Sequence, residues 1–307
     1  MIRYYSWAIM EKLLSFTPAG NKIVYGLSSI IEKNTKGRDR PLDSAIKLVK
    51  NARDMVKPGD TILDVGTGWY HHLPFLFYLI GDYEHYLFDV KDKASLQWIK
   101  NYLLGLQDKI DVLFDELKIN KYDALSKIKY LFNQDSRDKI YDICNFKLII
   151  TKETDRVFLP ENSVNLMVSC CVINHIPIEI LMTELITLKK IIKPDGIMYF
   201  LIGHDDHWSF HDPNMNMFQY YKYSDKYYKI IFENNFQFQN RLTKNEWFNI
   251  FNTCGLNVID YYGHITLESI NEINKLSSNL NERFSKYSLN DLAIKHSYVT
   301  LEKLSDN

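Results

Sequence analysis

Thr61-Ile-Leu-Asp-Val-Gly-Thr-Gly68 is the stretch that decides the fold. Thr61 to Val65 is a short, apolar, β-branched run, which suits a parallel strand buried on both faces. Lys57-Pro-Gly-Asp60 ahead of it reads as a turn. Gly66 and Gly68 behind it permit a tight bend and leave no Cβ between backbone and ligand. Open parallel sheets bind ligands outside the carboxyl ends of their strands, where strand order reverses, so this turn is where a cofactor is expected. A dinucleotide fingerprint needs a third glycine three positions after Gly68, and the chain has His71 there, preceded by bulky Trp69 and Tyr70. Asp64 points the same way, because a carboxylate before the turn repels a diphosphate but attracts an ammonium. Asp89 follows 25 residues after Asp64, near the spacing at which an acid accepts both ribose hydroxyls of an adenosine.

Outward from this turn the same grammar repeats. Tyr86 to Val90, Lys147 to Ile150, Val164 to Ser169 and Ile197 to Ile202 read as further strands. Between them lie a short helix from Pro74 to Ile80, helical periodicity over 92–147, and a helix from about Glu179 to Ile192 closed by Lys193-Pro-Asp-Gly196. Such alternation implies a parallel sheet with right-handed crossovers. Glu246 to Cys254 then reads as a helix, Gly255 to Tyr262 as a strand, 267–294 as mostly helical and Ser297 to Leu301 as a last strand. Residues 1–56 read as an N-terminal helical cap, and 57–307 as one domain whose rhythm breaks at 203–245, an insertion or lid.

The chain has 307 residues, 46% of them hydrophobic, so it can bury a large core. Its 37 basic and 38 acidic side chains nearly cancel, which gives no global field for nucleic acid or an anionic bilayer. Cys144, Cys170, Cys171 and Cys254 lack paired metal or disulfide spacing and read as buried thiols. No run is long enough to span a membrane, and Glu11 and Lys12 interrupt the apolar start, so a cytoplasmic protein is expected.

From about Pro58 to Ile202 the sequence resembles the class I S-adenosylmethionine-dependent methyltransferases. The resemblance implies an α/β fold: a Rossmann-like, doubly wound, seven-stranded, mostly parallel sheet with an antiparallel last strand. It implies S-adenosylmethionine as cofactor, with Asp64, Gly66, Thr67 and Gly68 in the first motif and Phe88-Asp89-Val90 carrying the ribose acid. Asp155-Arg-Val-Phe-Leu-Pro-Glu-Asn-Ser163 is similar to the segment whose acid meets the adenine amine, which makes Asp155 a candidate. Val168-Ser-Cys-Cys-Val-Ile-Asn-His-Ile-Pro177, with Ser169, Cys170 and His175, is similar to the strand end beside the methionine sulfur. Two positions depart from the pattern. Tyr70 stands for a third glycine, and Asn165 for an acid that makes supporting hydrogen bonds. Gly66-Thr-Gly-Trp69 followed by Leu73-Pro74 also resembles a bacterial subgroup from surface-polysaccharide and related biosynthetic clusters. Asp205-Asp-His207, Tyr223-Ser-Asp225, Gln239-Asn-Arg241, Leu289-Asn-Asp-Leu292 and Ser297 to Leu301 carry that likeness to the end of the chain.

Methyl transfer is an in-line displacement, so a protein must mainly hold acceptor and methyl in line. A hydroxyl acceptor also needs a general base. His204-Asp-Asp-His207 puts four ionisable groups directly after the fifth strand. His207 is the first candidate base, with Asp206 or Asp212 orienting it, and His175 is the second. His204, Asp205, Asp212 and Arg241 are candidate acceptor ligands, with the arginine suited to an anionic group. The same cluster also reads as a solvated loop whose acids cap turns. A metal on Asp205, Asp206 and His211 has no specific spacing behind it, and none is expected. Trp208, Phe210, Phe218, Tyr220 and Tyr221 could stack on a sugar or pack their own segment. The expected partner is a small-molecule or saccharide acceptor, with no nucleic acid; a homodimer is the candidate assembly. An RNA or protein methyltransferase and a non-catalytic S-adenosylmethionine-binding protein are the alternatives.

Overall fold

A computed structural model describes residues 2–18, 20, 23, 39–152 and 159–304 of the chain. Seven strands, β1 (Thr61–Val65), β2 (Glu84–Asp89), β3 (Phe146–Ile150), β4 (Val164–Cys170), β5 (Ile192–Gly203), β6 (Leu256–His264) and β7 (His296–Lys303), form one sheet in the order β3-β2-β1-β4-β5-β7-β6. The first five run parallel, and β7 lies antiparallel between β5 and β6. This is the sheet the resemblance implied, parallel over the strands that alternate with helices. The chain winds outward from β1 to β3 and returns on the other side as β4, so strand order reverses between β1 and β4.

Helices cover both faces because both faces of the central strands are apolar. Leu42, Ala45, Ile46, Val49 and Ala52 line the buried side of the Asp39–Ala52 helix, which shares a core with helices His72–Ile80 and Leu96–Asp108. On the opposite face Leu181, Leu185 and Leu188 of helix Ile178–Ile191 pack with Trp247 and Phe251 of helix Lys244–Thr253.

One expectation needs correction. Lys193-Pro-Asp-Gly196 closes the helix but is not a turn ahead of a strand from Ile197: β5 begins at Ile192 and passes through it, with a register shift opposite Val164 to Leu166. Gly196 suits that irregularity, since a Cβ there would come within 2.9 Å of the Val164 carbonyl oxygen. The helical periodicity of 92–147 resolves into four helices, Leu96–Asp108, Ile110–Leu117, Lys121–Phe132 and Arg137–Cys144; Ser95, Asn120 and Ser136 cap the first, third and fourth.

Residues 204–243 fold into short 3₁₀ turns, His207–His211 and Gln219–Lys222, and one helix, Asp225–Ile231. Their aromatic side chains build a third core. Trp208, Phe218, Tyr220, Tyr221, Tyr228 and Phe232 pack against Tyr4 and Ala8 of the first helix, Ile2–Ser15, and against Ile273, Leu276 and Phe284. Helices Ile2–Ser15 and Asp39–Ala52 therefore serve different cores, the first this one and the second the sheet. Each buried aromatic contributes up to about 3 kcal/mol, which accounts for order in a segment with little regular backbone bonding.

Candidate active site

The β1 turn is held from three sides. Gly66 N and Thr67 N both donate to the Phe88 carbonyl, at 2.8 and 3.2 Å, and Gly68 N donates to Asp89 Oδ2 at 3.0 Å. Lys91 N donates to the other Asp89 oxygen at 3.1 Å, which fixes that carboxylate at the carboxyl end of β2. Gly66 and Gly68 have φ of +81° and +66°, the left-handed region that glycine enters without penalty. A Cβ on Gly66 would meet Val172 at 2.4 Å, whereas at Gly68 the nearest atom is 3.8 Å away. Gly66 thus lets the β4 loop press against the turn, and Gly68 leaves its own side open.

Asp64 is buried, and burial pushes its carboxyl up to about 7, opposed by a hydrogen bond from the Thr67 side chain and reinforced by the charge of Asp89. Thr67 Oγ1 lies 2.7 Å from His71 Nδ1, and His71 Nε2 lies 2.6 Å from the Tyr141 hydroxyl. Burial lowers His71 to about 4, so its ring is neutral. One proton arrangement satisfies the chain: Tyr141 donates to Nε2, Nδ1–H donates to Thr67, and Thr67 donates to Asp64. His71 itself has φ +50° ahead of helix His72–Ile80. The position that argued against a dinucleotide is therefore a buttress of the turn, a role sequence pattern did not reveal.

Of the other residues given to the cofactor, Ser169 is buried and donates to the Val65 carbonyl at 3.0 Å, which ties β4 to the turn. Cys170 ends β4 and Val90, exposed, follows β2. Asp155 lies outside the described residues. Asn165 keeps supporting bonds despite replacing an acid: its Oδ1 accepts from Thr61 N at 3.0 Å and from Lys193 Nζ at 2.9 Å.

Beyond the ends of β4 and β5, His175 and His207 face each other with ring centroids 4.6 Å apart. His175 Nδ1 lies 2.7 Å from the Phe238 carbonyl, so it carries the proton and Nε2 keeps its lone pair. Burial lowers both imidazoles to about 4, with the His207 ring adding to the effect on His175 and His296 to that on His207. Both are neutral near pH 7, as a proton acceptor must be. Asp205 Oδ1 lies 3.9 Å from His207 Nε2.

Three assignments made from the sequence are corrected here. Asp206 does not orient His207: it is wholly buried, accepts from the Tyr4 hydroxyl at 2.6 Å and caps the next turn by accepting from Trp208 N at 3.0 Å. Asp205 is the acid near the ring. His204 is no acceptor ligand, because its Nε2 meets Ser297 Oγ at 2.7 Å and its Nδ1 the Leu242 carbonyl at 3.3 Å. Arg241 is also inside the scaffold: it donates to the carbonyls of Tyr220 and Tyr223, pairs with Asp225, and lies 4.1 Å over the Tyr228 ring. Asp212 accepts from Asn214 N at 3.2 Å, a local turn bond. Asp205, Asp206 and His211 do not converge, since Asp206 faces Tyr4 and His211 stacks on Trp7. Among the described residues no three His, Cys, Asp or Glu side chains are grouped to hold a metal.

Packing claims four of the five aromatics, Trp208, Phe218, Tyr220 and Tyr221, whereas Phe210 is exposed and stacks on His207 at 5.3 Å. Gln239 was missed: it donates to the Asp205 carbonyl at 2.6 Å and accepts from His207 N at 3.3 Å. A cavity of about 500 Å³ lined by Leu79, Ile80, Ile119, Asn120 and Lys127 lies elsewhere. It sits at the far end of helix His72–Ile80, away from the carboxyl ends of the strands.

Together these features define a Rossmann-like α/β protein whose candidate ligand site spans the carboxyl ends of β2, β1, β4 and β5. No family model matches the chain, and no curated protein does. Among solved structures it is similar to a SAM-dependent methyltransferase from Methanosarcina mazei, with 10% identity, 83% of this chain and 97% of that one covered, and a TM-score of 0.48. It is also similar to geranyl diphosphate C-methyltransferase from Streptomyces coelicolor, with 9% identity, 83% and 79% covered, and a TM-score of 0.45. Likeness at that level does not carry ligand or reaction from those proteins to this chain. No described helix is long and apolar enough to cross a membrane.

Proposed function

We propose that the protein is an S-adenosylmethionine-dependent methyltransferase that methylates a hydroxyl of a small molecule or saccharide precursor. The observation that carries this reading is the pair Asp64 and Asp89, set at the ends of adjacent strands around the open side of Gly68. The residues fit such a cofactor. Asp89, already fixed by two backbone N–H groups, suits the ribose hydroxyls, and Asp64, buried without a cationic partner among the causes acting on it, suits the ammonium of the methionine moiety. A bound sulfonium supplies a methyl group whose bond to sulfur breaks with the electron pair left on sulfur. The chain's own part is to hold an acceptor oxygen in line and take its proton. His207 and His175, neutral and beyond the ends of β4 and β5, suit that role, with Asp205 beside the imidazolium that would form.

Calorimetry with S-adenosylhomocysteine tests the first half. Micromolar binding is expected, and Asp89→Ala weakens it about a hundredfold through loss of two charge-assisted hydrogen bonds. Absence of binding at millimolar ligand would sink the reading. His207→Ala keeps that affinity and lowers turnover roughly 10²- to 10⁴-fold; unchanged turnover would remove it as base.

A further inference from the structure

Asn174 follows β4 in the short Ile173–His175 turn and is 1% exposed, yet neither its Oδ1 nor its Nδ2 has a hydrogen-bond partner among the described residues. An unpaired buried amide is costly, and native structures keep such groups rarely and for a reason. Its surroundings show where it is aimed. A Cβ built on Gly203, the last residue of β5, would find Asn174 Nδ2 at 3.6 Å, Asp205 Oδ1 at 3.7 Å and Cys171 Sγ at 3.8 Å as its nearest neighbours. Gly203 is outside the left-handed region, so its conformation does not demand glycine. What the missing side chain provides is a slot bounded by a carboxamide, a carboxylate and a thiol. The neighbouring side chains are more accessible: 11% of the Asp205 side chain and 21% of the His207 side chain are exposed, and Phe210, which stacks on His207, is 57% exposed.

The donors and acceptors here define what fits. Asp205 accepts, and Asn174 both donates and accepts. Two neighbouring hydroxyls, each able to do both, meet the donor and the acceptor of the Asn174 amide and can direct a further O–H toward the Asp205 carboxylate. An anion is disfavoured by Asp205, and Arg241 is consumed by the scaffold; Lys93, from the loop after β2, is a cation whose charge reaches His175. Phe210 offers an exposed flat ring at the mouth, suited to the C–H face of a polyol ring. We propose that Asn174, Asp205 and the open side of Gly203 form the acceptor subsite, and that the acceptor is an uncharged vicinal diol held with one hydroxyl beside His207 and His175. This rests on the methyltransferase reading above.

The test uses the full chain with labelled S-adenosylmethionine. Neutral diols (methyl α-glucoside, methyl α-rhamnoside, myo-inositol) are compared with glucuronate, glucose 6-phosphate and cyclohexanol. At least one neutral diol is expected to be methylated at least about tenfold faster than any anion or mono-ol, the scale of one lost hydrogen bond. Equal or faster transfer to an anion or mono-ol, or transfer to none of the diols, overturns the proposal. A second readout needs no turnover. The side-chain amide resonances of Asn174, identified by their loss in Asn174→Ala, shift when the diol is added to protein saturated with S-adenosylhomocysteine. Gly203→Ala places its methyl at ordinary contact distances, so it folds and binds S-adenosylhomocysteine like the parent while losing diol affinity about tenfold or more. Unmoved resonances or undiminished diol affinity overturn the subsite. Loss of S-adenosylhomocysteine binding by the parent chain overturns the underlying reading instead.

Discussion

In the turn after β1, the candidate cofactor groups are held largely by near neighbours: Thr67 meets His71 4 residues on, and Gly68 meets Asp89 21 residues on. In the insertion after β5, the same types of side chain are held by remote ones. Asp206 meets Tyr4 across 202 residues, and His204 meets Ser297 across 93. Locality separates the two. Where the backbone itself makes the site, an acid or a glycine read in sequence stays at that site. Where a segment must make a core from aromatic and polar residues, it consumes the conspicuous charged groups, and those left facing outward are the inconspicuous ones.

Arg241 is the strongest way to test that contrast. With it gone, the carbonyls of Tyr220 and Tyr223 each lose a donor, and its cation–π contact with Tyr228 disappears. Asp225 is largely exposed, so the loss sits at the low end for a buried ion pair, about 3 kcal/mol of unfolding free energy for Arg241→Ala. Denaturant unfolding measures it. A variant with full stability but impaired acceptor binding would return Arg241 to the substrate.

A smaller effect is expected at the joint between the first helix and the insertion. Tyr4→Phe strips the donor from the wholly buried Asp206 Oδ2 and should cost about 1–2 kcal/mol. Affinity for S-adenosylhomocysteine should stay as it was, because none of the turn's bonds run through Tyr4. If the substitution lowered turnover at unchanged thermal stability, Asp206 would belong with His207 after all.

How far the sequence was legible follows the same line. The seven strands could be read because each contains a short apolar or β-branched stretch near turn residues. The parallel sheet follows from their alternation with helices, and its antiparallel last strand from the resemblance. The Lys193-Pro-Asp-Gly196 stretch misled because a bulge and a turn share the same residues, and only pairing with Val164 distinguishes them. The 3₁₀ turns of the insertion have no periodicity of their own; they form against Tyr4, Ile273 and Phe284, which the sequence places far away. His207 and His175 were visible as titratable groups, but their pairing at 4.6 Å depends on the adjacency of β4 and β5. Asn174 sat inside a quoted motif without standing out, since an amide signals nothing until its burial and missing partners are known.

Asp64 gives the mildest test, and it belongs to the local half of the contrast. Its carboxyl is raised to about 7 chiefly by burial, so near neutrality the free protein holds it partly protonated. An ammonium placed against it favours the charged form, which lowers its pKa and releases a proton on binding. Affinity for S-adenosylhomocysteine should therefore rise as pH increases from 6 toward 7, by at most about tenfold per unit, and level off once Asp64 is ionised in the free protein. The sign is the point: a carboxylate serving only as a turn cap would leave affinity flat across this window. Asp64→Asn cannot ionise, so it should bind more weakly and lose the slope. Calorimetry in two buffers of different ionisation enthalpy counts the proton directly. Uptake instead of release would mean that Asp64 meets the ligand protonated, and that the ammonium is held elsewhere.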